Sequence, residues 1–249
     1  MQGGGKQSLK DFFTGLQFLT RIRIVEQTDW SPDSFGRSVK YFTLIGVVIG
    51  LLLAGLAYVF AQFLPSHVLA AAIIIAEIIL TGGLHCDGFM DTADGVFSGR
   101  SRERMLEIMK DSRVGANGVV AFGLLLLLKY SLIADMAPAM LTTALFLMPV
   151  AGRMAMVISI TSFPYARPDG MGKAFAQYAG RTTLVIAGVI ALIAIIPFGM
   201  QAAISAGSAV LAGVLSARYF AKVLGGLTGD TYGAITEITE LVALLVFII

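Results

Sequence analysis

The sequence predicts an all-α protein, a polytopic transmembrane helical bundle of about six to seven spans with an amphipathic helix at its amino terminus. Three observations predict it. Of the 249 residues, 57% are hydrophobic and 14% charged, with mean hydropathy +0.83, where a soluble domain carries about 25% charged residues. Apolar runs long enough to cross a bilayer follow one another along the chain. Lys and Arg collect in alternate loops. No folded core of this length hides so much apolar surface from water, so lipid covers part of it. The single cysteine, Cys86, excludes an intramolecular disulfide framework. A net charge of +2 gives no reason to expect a nucleic-acid partner. The polar, Gly-rich amino terminus lacks a cleavable signal pattern.

The whole of 1–249 reads as one membrane-embedded domain, in which residues 1–7 are expected to be disordered. Over 8–24, Leu9, Phe12, Phe13, Leu16, Phe18, Leu19 and Ile22 recur at helical spacing among Lys10, Asp11, Arg21 and Arg23. That pattern predicts a helix lying on the membrane surface or docked on the protein's own bundle. The bundle occupies 41–249. Its first run, 41–63, is long enough to span, since about 20 residues at ~1.5 Å each cover ~30 Å. The run 68–84 is shorter and carries Glu77, and 118–134, 137–162, 182–199 and 202–221 complete six spans. A seventh, 235–249, is short and begins with Glu237 and Glu240. The turns 64–67, 135–136 and 198–201 hold no Lys or Arg, whereas the intervening polar segments are rich in both. The amino terminus and every long polar loop are therefore expected in the cytoplasm, in a prokaryotic cell (inner) membrane. Lys129 is the exception, near the outer end of its span, where it is expected to snorkel outward.

Chemistry concentrates in Gly82-Gly83-Leu84-His85-Cys86-Asp87-Gly88-Phe89-Met90-Asp91-Thr92-Ala93-Asp94-Gly95. Asp87, Asp91 and Asp94 stand at i, i+4 and i+7, on one face of a helix. Three anions at the end of an apolar span repel one another and resist desolvation, and a divalent hard cation removes both penalties. Oxygen-only ligands suit Mg²⁺, with Mn²⁺ as the alternative, better than zinc. These acids can instead form a solvated cap paired with Arg100, Arg102 and Arg104. The surrounding glycines, and the lack of any Lys or Arg inside the triad, favour metal.

Further along, Lys110, Asp111 and Arg113 sit beside a Gly-broken turn at 115–118, a pattern suited to phosphate oxygens but also to a plain positive-inside loop. Two more polar loops share that side: 165–173, with Arg167 and Lys173, and 225–233, with Asp230 between glycines. Intramembrane charges are expensive and are functional or paired. Glu77 and Arg153 either pair with each other or join the site, Glu77 as a further metal ligand and Arg153 on phosphate. His85 is a candidate proton-transfer group, with a hydrogen-bonded interfacial histidine as the plainer reading.

Taken together, these motifs resemble a known family. Gly-Gly-Leu-His-x-Asp-Gly-x-x-Asp-Thr-Ala-Asp-Gly at 82–95, Met-Lys-Asp-Ser-Arg-x-Gly at 109–115, Ala-Arg-Pro-x-Gly-x-Gly at 166–172, Gly-Leu-Thr-Gly-Asp-x-Tyr-Gly at 226–233 and Phe-Leu-Thr-Arg-Ile at 18–22 are similar to cobalamin synthases, the adenosylcobinamide-GDP ribazoletransferases. Cys86 and Ala116-Asn117 depart from the pattern without removing a charged group. The resemblance implies a Mg²⁺-dependent membrane transferase that joins the corrinoid-GDP to α-ribazole or its 5′-phosphate and releases GMP. It implies Asp87, Asp91 and Asp94 on the metal, one of them or His85 as base, and Lys110, Arg113 and Arg167 on phosphate. Asp230 would orient ribazole or ligate a second metal. A homo-oligomer, or a complex with other corrinoid enzymes, is a further expectation. Two rivals remain at this stage. A CDP-alcohol phosphotransferase would need a different run of aspartates, and a secondary transporter would need repeated halves with midplane charges.

Overall fold

The computed structural model describes residues 3–27 and 29–249. These form twelve α-helices: α1 (Gly3–Leu19), α2 (Pro32–Ser38), α3 (Phe42–Phe60), α4 (Ser66–Thr81), α5 (Leu84–Val96), α6 (Arg102–Ile108), α7 (Ala116–Asp135), α8 (Pro138–Ser162), α9 (Met171–Tyr178), α10 (Arg181–Ile195), α11 (Gly199–Leu224) and α12 (Gly229–Ile248). Among the described residues no strand forms; a single parallel bridge ties Tyr165 to Leu227.

Five helical stretches are long and apolar enough to cross a membrane, and the bent pair α4–α5 makes a sixth if taken as one span. One of the five, Arg181–Leu224, has 44 residues and would reach ~66 Å if straight, about twice the hydrocarbon thickness. It is instead two antiparallel crossings, because the chain reverses at Gly199, whose φ of 82° suits glycine. The start of α10 packs on the 3-10 turn Val39–Tyr41 beside α3. The start of α11 lies at the opposite end of the bundle, where Gln201 donates to the Phe247 carbonyl 3.1 Å away. Counted this way, the candidate crossings are α3, α4, α7, α8, α10, α11 and α12. The last crossing begins at Gly229, six residues before the expected 235, because the Thr228 hydroxyl caps it by accepting from the Thr231 amide at 3.2 Å.

Close helix approach relies on small residues, as expected where lipid offers no hydrophobic gain for association. Gly46 and Gly50 of α3 lie against the Pro149 and Phe146 carbonyls of α8, leaving no room for a side chain. Helix α8 forms the centre, with Leu145, Leu147, Met148, Val150 and Val157 buried. Helix α1 docks on α2 and α3. Its Leu16 and Leu19 are buried, and the buried Asp11 carboxylate accepts from Arg37 Nε and Lys40 Nζ, both at 3.1 Å. Residues 3–7 of the segment expected to be disordered are the first turns of α1, and residues 1–2 lie outside the described residues.

Two intramembrane expectations need correction. Lys129 does not snorkel: it is buried, with Nζ donating to Glu77 at 3.2 Å, Glu237 at 2.8 Å and Glu240 at 3.0 Å. Arg153 does not pair with Glu77; it is fully buried and hydrogen-bonded to Glu240. The reason is topological. Helix α12 brings Glu237 and Glu240 between α7 and α8, so each base meets an acid from α12.

Candidate active site

The site is organised by α5, which turns 91° away from α4. Gly82 and Gly83 make that corner with φ of 65° and 71°, values that an L side chain adopts only under strain. At 16 residues, α4 is ~24 Å long, and the corner sends α5 across its axis instead of along it. It crosses the starts of α12 and α7. Gly88 lies against the backbone of Asp230, where a Cβ would meet its carbonyl oxygen at 2.7 Å. Gly233 lies against the backbone of His85, where a Cβ would stand 3.1 Å from its carbonyl oxygen. These two glycines bring Asp87 and Asp91 beside the first turn of α12.

The loop from α8 to α9 completes the arrangement. The Ala166 amide donates to the Leu227 carbonyl at 2.7 Å, and the Leu227 amide to the Pro164 carbonyl at 2.8 Å. This short ladder sets Arg167 over the start of α12, with Nη2 2.8 Å from Asp230 Oδ2. A cavity of about 220 Å³ opens between α1, α5, α8, α9 and α12. Asp87, Arg167 and Asp230 line its polar side; Phe18, Met156 and Phe175 line the other.

Asp91 is half-buried. Desolvation, followed by the charges of Asp230, Asp87 and Asp94, raises its carboxyl to about 7 against the opposing pull of Arg167. So acidic a neighbourhood holds more negative charge than Arg167 neutralises.

The three aspartates do not act as one cage. The buried Asp94 turns away and accepts from the Gly115 amide at 2.7 Å and the Gly118 amide at 2.8 Å. It thereby caps α7, whose own N-cap residue, Gly115, has no side chain to do so. Among the described residues no three His, Cys, Asp or Glu side chains lie close enough to hold a metal ion together. Glu77 serves Lys129 and is remote from any such set. The solvated-cap alternative fares no better for Arg102 and Arg104, which bind the Leu224 carbonyl and Glu107. What remains is Asp87 and Asp91 with Asp230 close by. That donor set fits Mg²⁺, which is commonly bound by one or two carboxylates plus substrate phosphate oxygens and water.

The loop carrying Lys110, Asp111 and Arg113 is not brought to this cavity. Asp111 and Arg113 line a separate hollow beyond Asp94, with Arg104, Glu107 and Asn117. Arg113 closes back on Asp111, donating from Nε at 3.0 Å and Nη2 at 2.7 Å, and this hydrogen bonding holds the Asp111 carboxyl down to about 2. Arg153 is likewise held inside the bundle, where Glu240 and His85 take its guanidinium.

Sequence reasoning missed Tyr232, Met156 and Phe175 as cavity residues. Tyr232 stood inside the 226–233 motif without a role of its own, and nothing marked Met156 or Phe175 in a chain where most aromatics and methionines are packing. It also left Glu237 and Glu240 without partners, although the cost of charge in lipid was the signal that joins them to Lys129 and Arg153.

A family model described as cobalamin-5-phosphate synthase matches residues 11–248. The chain is similar to adenosylcobinamide-GDP ribazoletransferases from Acetivibrio thermocellus, 36% identical over 96% of this chain and 97% of that one, and Desulforamulus reducens, 44% identical over 82% of each. A third, from Roseiflexus sp., is 41% identical over 92% of this chain and 85% of its own. No solved structure matches.

Proposed function

Because the chain belongs to the cobalamin-5-phosphate synthase family, we propose that the face carrying α5 is where it joins adenosylcobinamide-GDP to α-ribazole or its 5′-phosphate, with Mg²⁺. The chain is a multi-pass membrane transferase of cobalamin synthesis. The observation that carries this reading is the convergence of Asp87, Arg167 and Asp230 at one cavity, with Asp91 near enough to feel the charge of all three. The Lys and Arg distribution supports a cytoplasmic orientation for this face, in the cell membrane of a prokaryote.

In the reaction a ribose hydroxyl oxygen bonds to the phosphorus that carries the corrinoid. The phosphoanhydride P–O bond breaks, GMP leaves with that electron pair, and the hydroxyl proton must be taken up. Asp87 and Asp91 would hold Mg²⁺; when bound, it neutralises charge on the diphosphate. Arg167, steadied by Asp230, offers guanidinium donors to a phosphate oxygen. A carboxylate of the Asp87–Asp91 pair takes the proton. Closeness of the two reactants at the cavity mouth supplies the orientation such a displacement needs.

The test is incubation of membranes containing the protein with both substrates and Mg²⁺, without a transmembrane gradient, followed by assay for GMP. Release of GMP that a chelator stops and Mg²⁺ restores supports the reading. Metal-independent release, or none, overturns it.

A further inference from the structure

We propose that the cavity between α1, α5, α8, α9 and α12 seats the aromatic base of the acceptor nucleoside, and that His85 serves that base as a hydrogen-bond donor, fixed in the role by Arg153. The proposal rests on the transferase reading and adds which substrate occupies the cavity and what His85 does.

His85 is buried, and its Nδ1 lies 3.2 Å from Arg153 Nη2. A guanidinium has donors only, so Nδ1 must accept; in a neutral imidazole the proton then sits on Nε2. An imidazolium would set donor against donor. Arg153 cannot swing aside, because Glu240 holds it and Lys129 holds Glu240. His85 therefore has no free lone pair with which to accept a proton, and it presents an N–H.

That N–H has no partner within the protein. His85 Nε2, Tyr232 Oη and Arg167 Nε are all buried without a hydrogen bond, while Arg167 Nη2 is held by Asp230 at 2.8 Å. Buried donors left unpaired are costly and rare. Here three residues with such groups line one cavity. The opposite wall is apolar: Phe18, Leu19, Met156 and Phe175. The occupant that fits is flat and largely apolar, bears an acceptor lone pair and brings no N–H of its own.

The two substrates differ in this respect. α-Ribazole is a ribosylated dimethylbenzimidazole, whose second ring nitrogen keeps its lone pair and whose base has no N–H. Guanine also offers acceptors, at N7 and O6, but its ring N–H and amino group would then be left unpaired beside the apolar wall, a cost the ribazole base does not carry. A corrin ring is too large for about 220 Å³. With the base seated here, the ribose points toward Asp87 and Asp230 at the mouth, where the attacking hydroxyl is needed.

Two measurements test this. Binding of α-ribazole to the detergent-solubilised full-length protein is followed by titration calorimetry for the wild type, His85→Ala and His85→Gln. Loss of a buried hydrogen bond predicts affinity about tenfold weaker in His85→Ala, with most of it restored in His85→Gln, whose amide can donate, and with KM for adenosylcobinamide-GDP unchanged. Equal binding by all three, or a kcat collapse in both variants with binding intact, overturns the donor role. Failure of the wild type to bind α-ribazole overturns the cavity assignment. Binding without GMP release would instead indict the transferase reading and leave this one standing. Since the chain has two histidines, nitrogen NMR on a His67→Gln background reads the His85 ring alone, whether or not the other variants fold. A proton on Nε2 is expected; a proton on Nδ1 refutes the lock.

Discussion

Replacing Asp91 by Asn should make the protein more stable and catalytically dead. In the folded chain the carboxyl is raised from its ordinary 3.8 to about 7, so ionisation opposes folding. The sign follows: the folded state is favoured most below about pH 4, loses stability as pH rises through 7, and carries a constant penalty above that. At about 1.4 kcal/mol per pH unit the gap is worth about 4 kcal/mol. Asp91 is only half-buried, water screens its neighbours, and about 1–2 kcal/mol is the expected penalty at pH 8. Asn removes the charge and keeps the shape. Thermal unfolding of purified protein should therefore show Asp91→Asn above the wild type at pH 8 and level with it near pH 4. Added Mg²⁺ should raise the wild type and leave the variant almost unmoved, while GMP release by the variant falls to background. A variant no more stable than the wild type at pH 8, or one turning over normally at saturating Mg²⁺, would show that Asp91 is not an ion-bearing acid.

Three further outcomes follow from other side chains. Asp94→Ala strips two α7 amides of their acceptor and should cost about 2 kcal/mol in thermal unfolding, whereas Asp87→Asn, at an exposed position, should leave stability unchanged and still abolish turnover. Lys129→Met leaves Glu77 and Glu237 without their cation, a change of the kind that costs about 3–5 kcal/mol. Monodisperse protein should be lost on size exclusion in detergent and partly recovered when Glu237→Gln is added. Gly46→Ala places a Cβ 2.6 Å from the Pro149 carbonyl oxygen and should cost about 1–3 kcal/mol by forcing α3 from α8, read as a lower unfolding temperature with turnover retained by the surviving folded fraction.

Much of this molecule was legible from residue order. Apolar run length and the alternation of Lys and Arg are local properties, and they gave the spans because lipid penalises each segment on its own terms. The gathering of Asp87, Arg167 and Asp230 was legible only as a shared side of the membrane. Their contact depends on Gly88 and Gly233 letting two backbones touch, which no spacing rule reports. Helical periodicity placed Asp94 with Asp87 and Asp91, and on α5 it does share their helix. What periodicity could not see was an uncapped helix nearby, whose free amides claim that carboxylate. Lys129 was misread for a related reason: its position near one end of a span suggested escape to water, while the three glutamates that hold it come from helices far apart in sequence.

The buried cluster joining Glu77, Lys129, Arg153, Glu237 and Glu240 also bears on biogenesis. Lys and Arg at the middle of an isolated helix cost about 2.5–3.5 kcal/mol each on insertion, and α7 and α8 leave the ribosome well before α12, which supplies two of the three acids. Until α12 arrives, Arg153 lacks its carboxylate and Lys129 has Glu77 alone. The half-made chain is thus held open at its centre, and closure of the bundle waits on synthesis of the helix whose first turn also carries Asp230. A nascent chain that stalls short of α12 is left with cations its own acids do not neutralise.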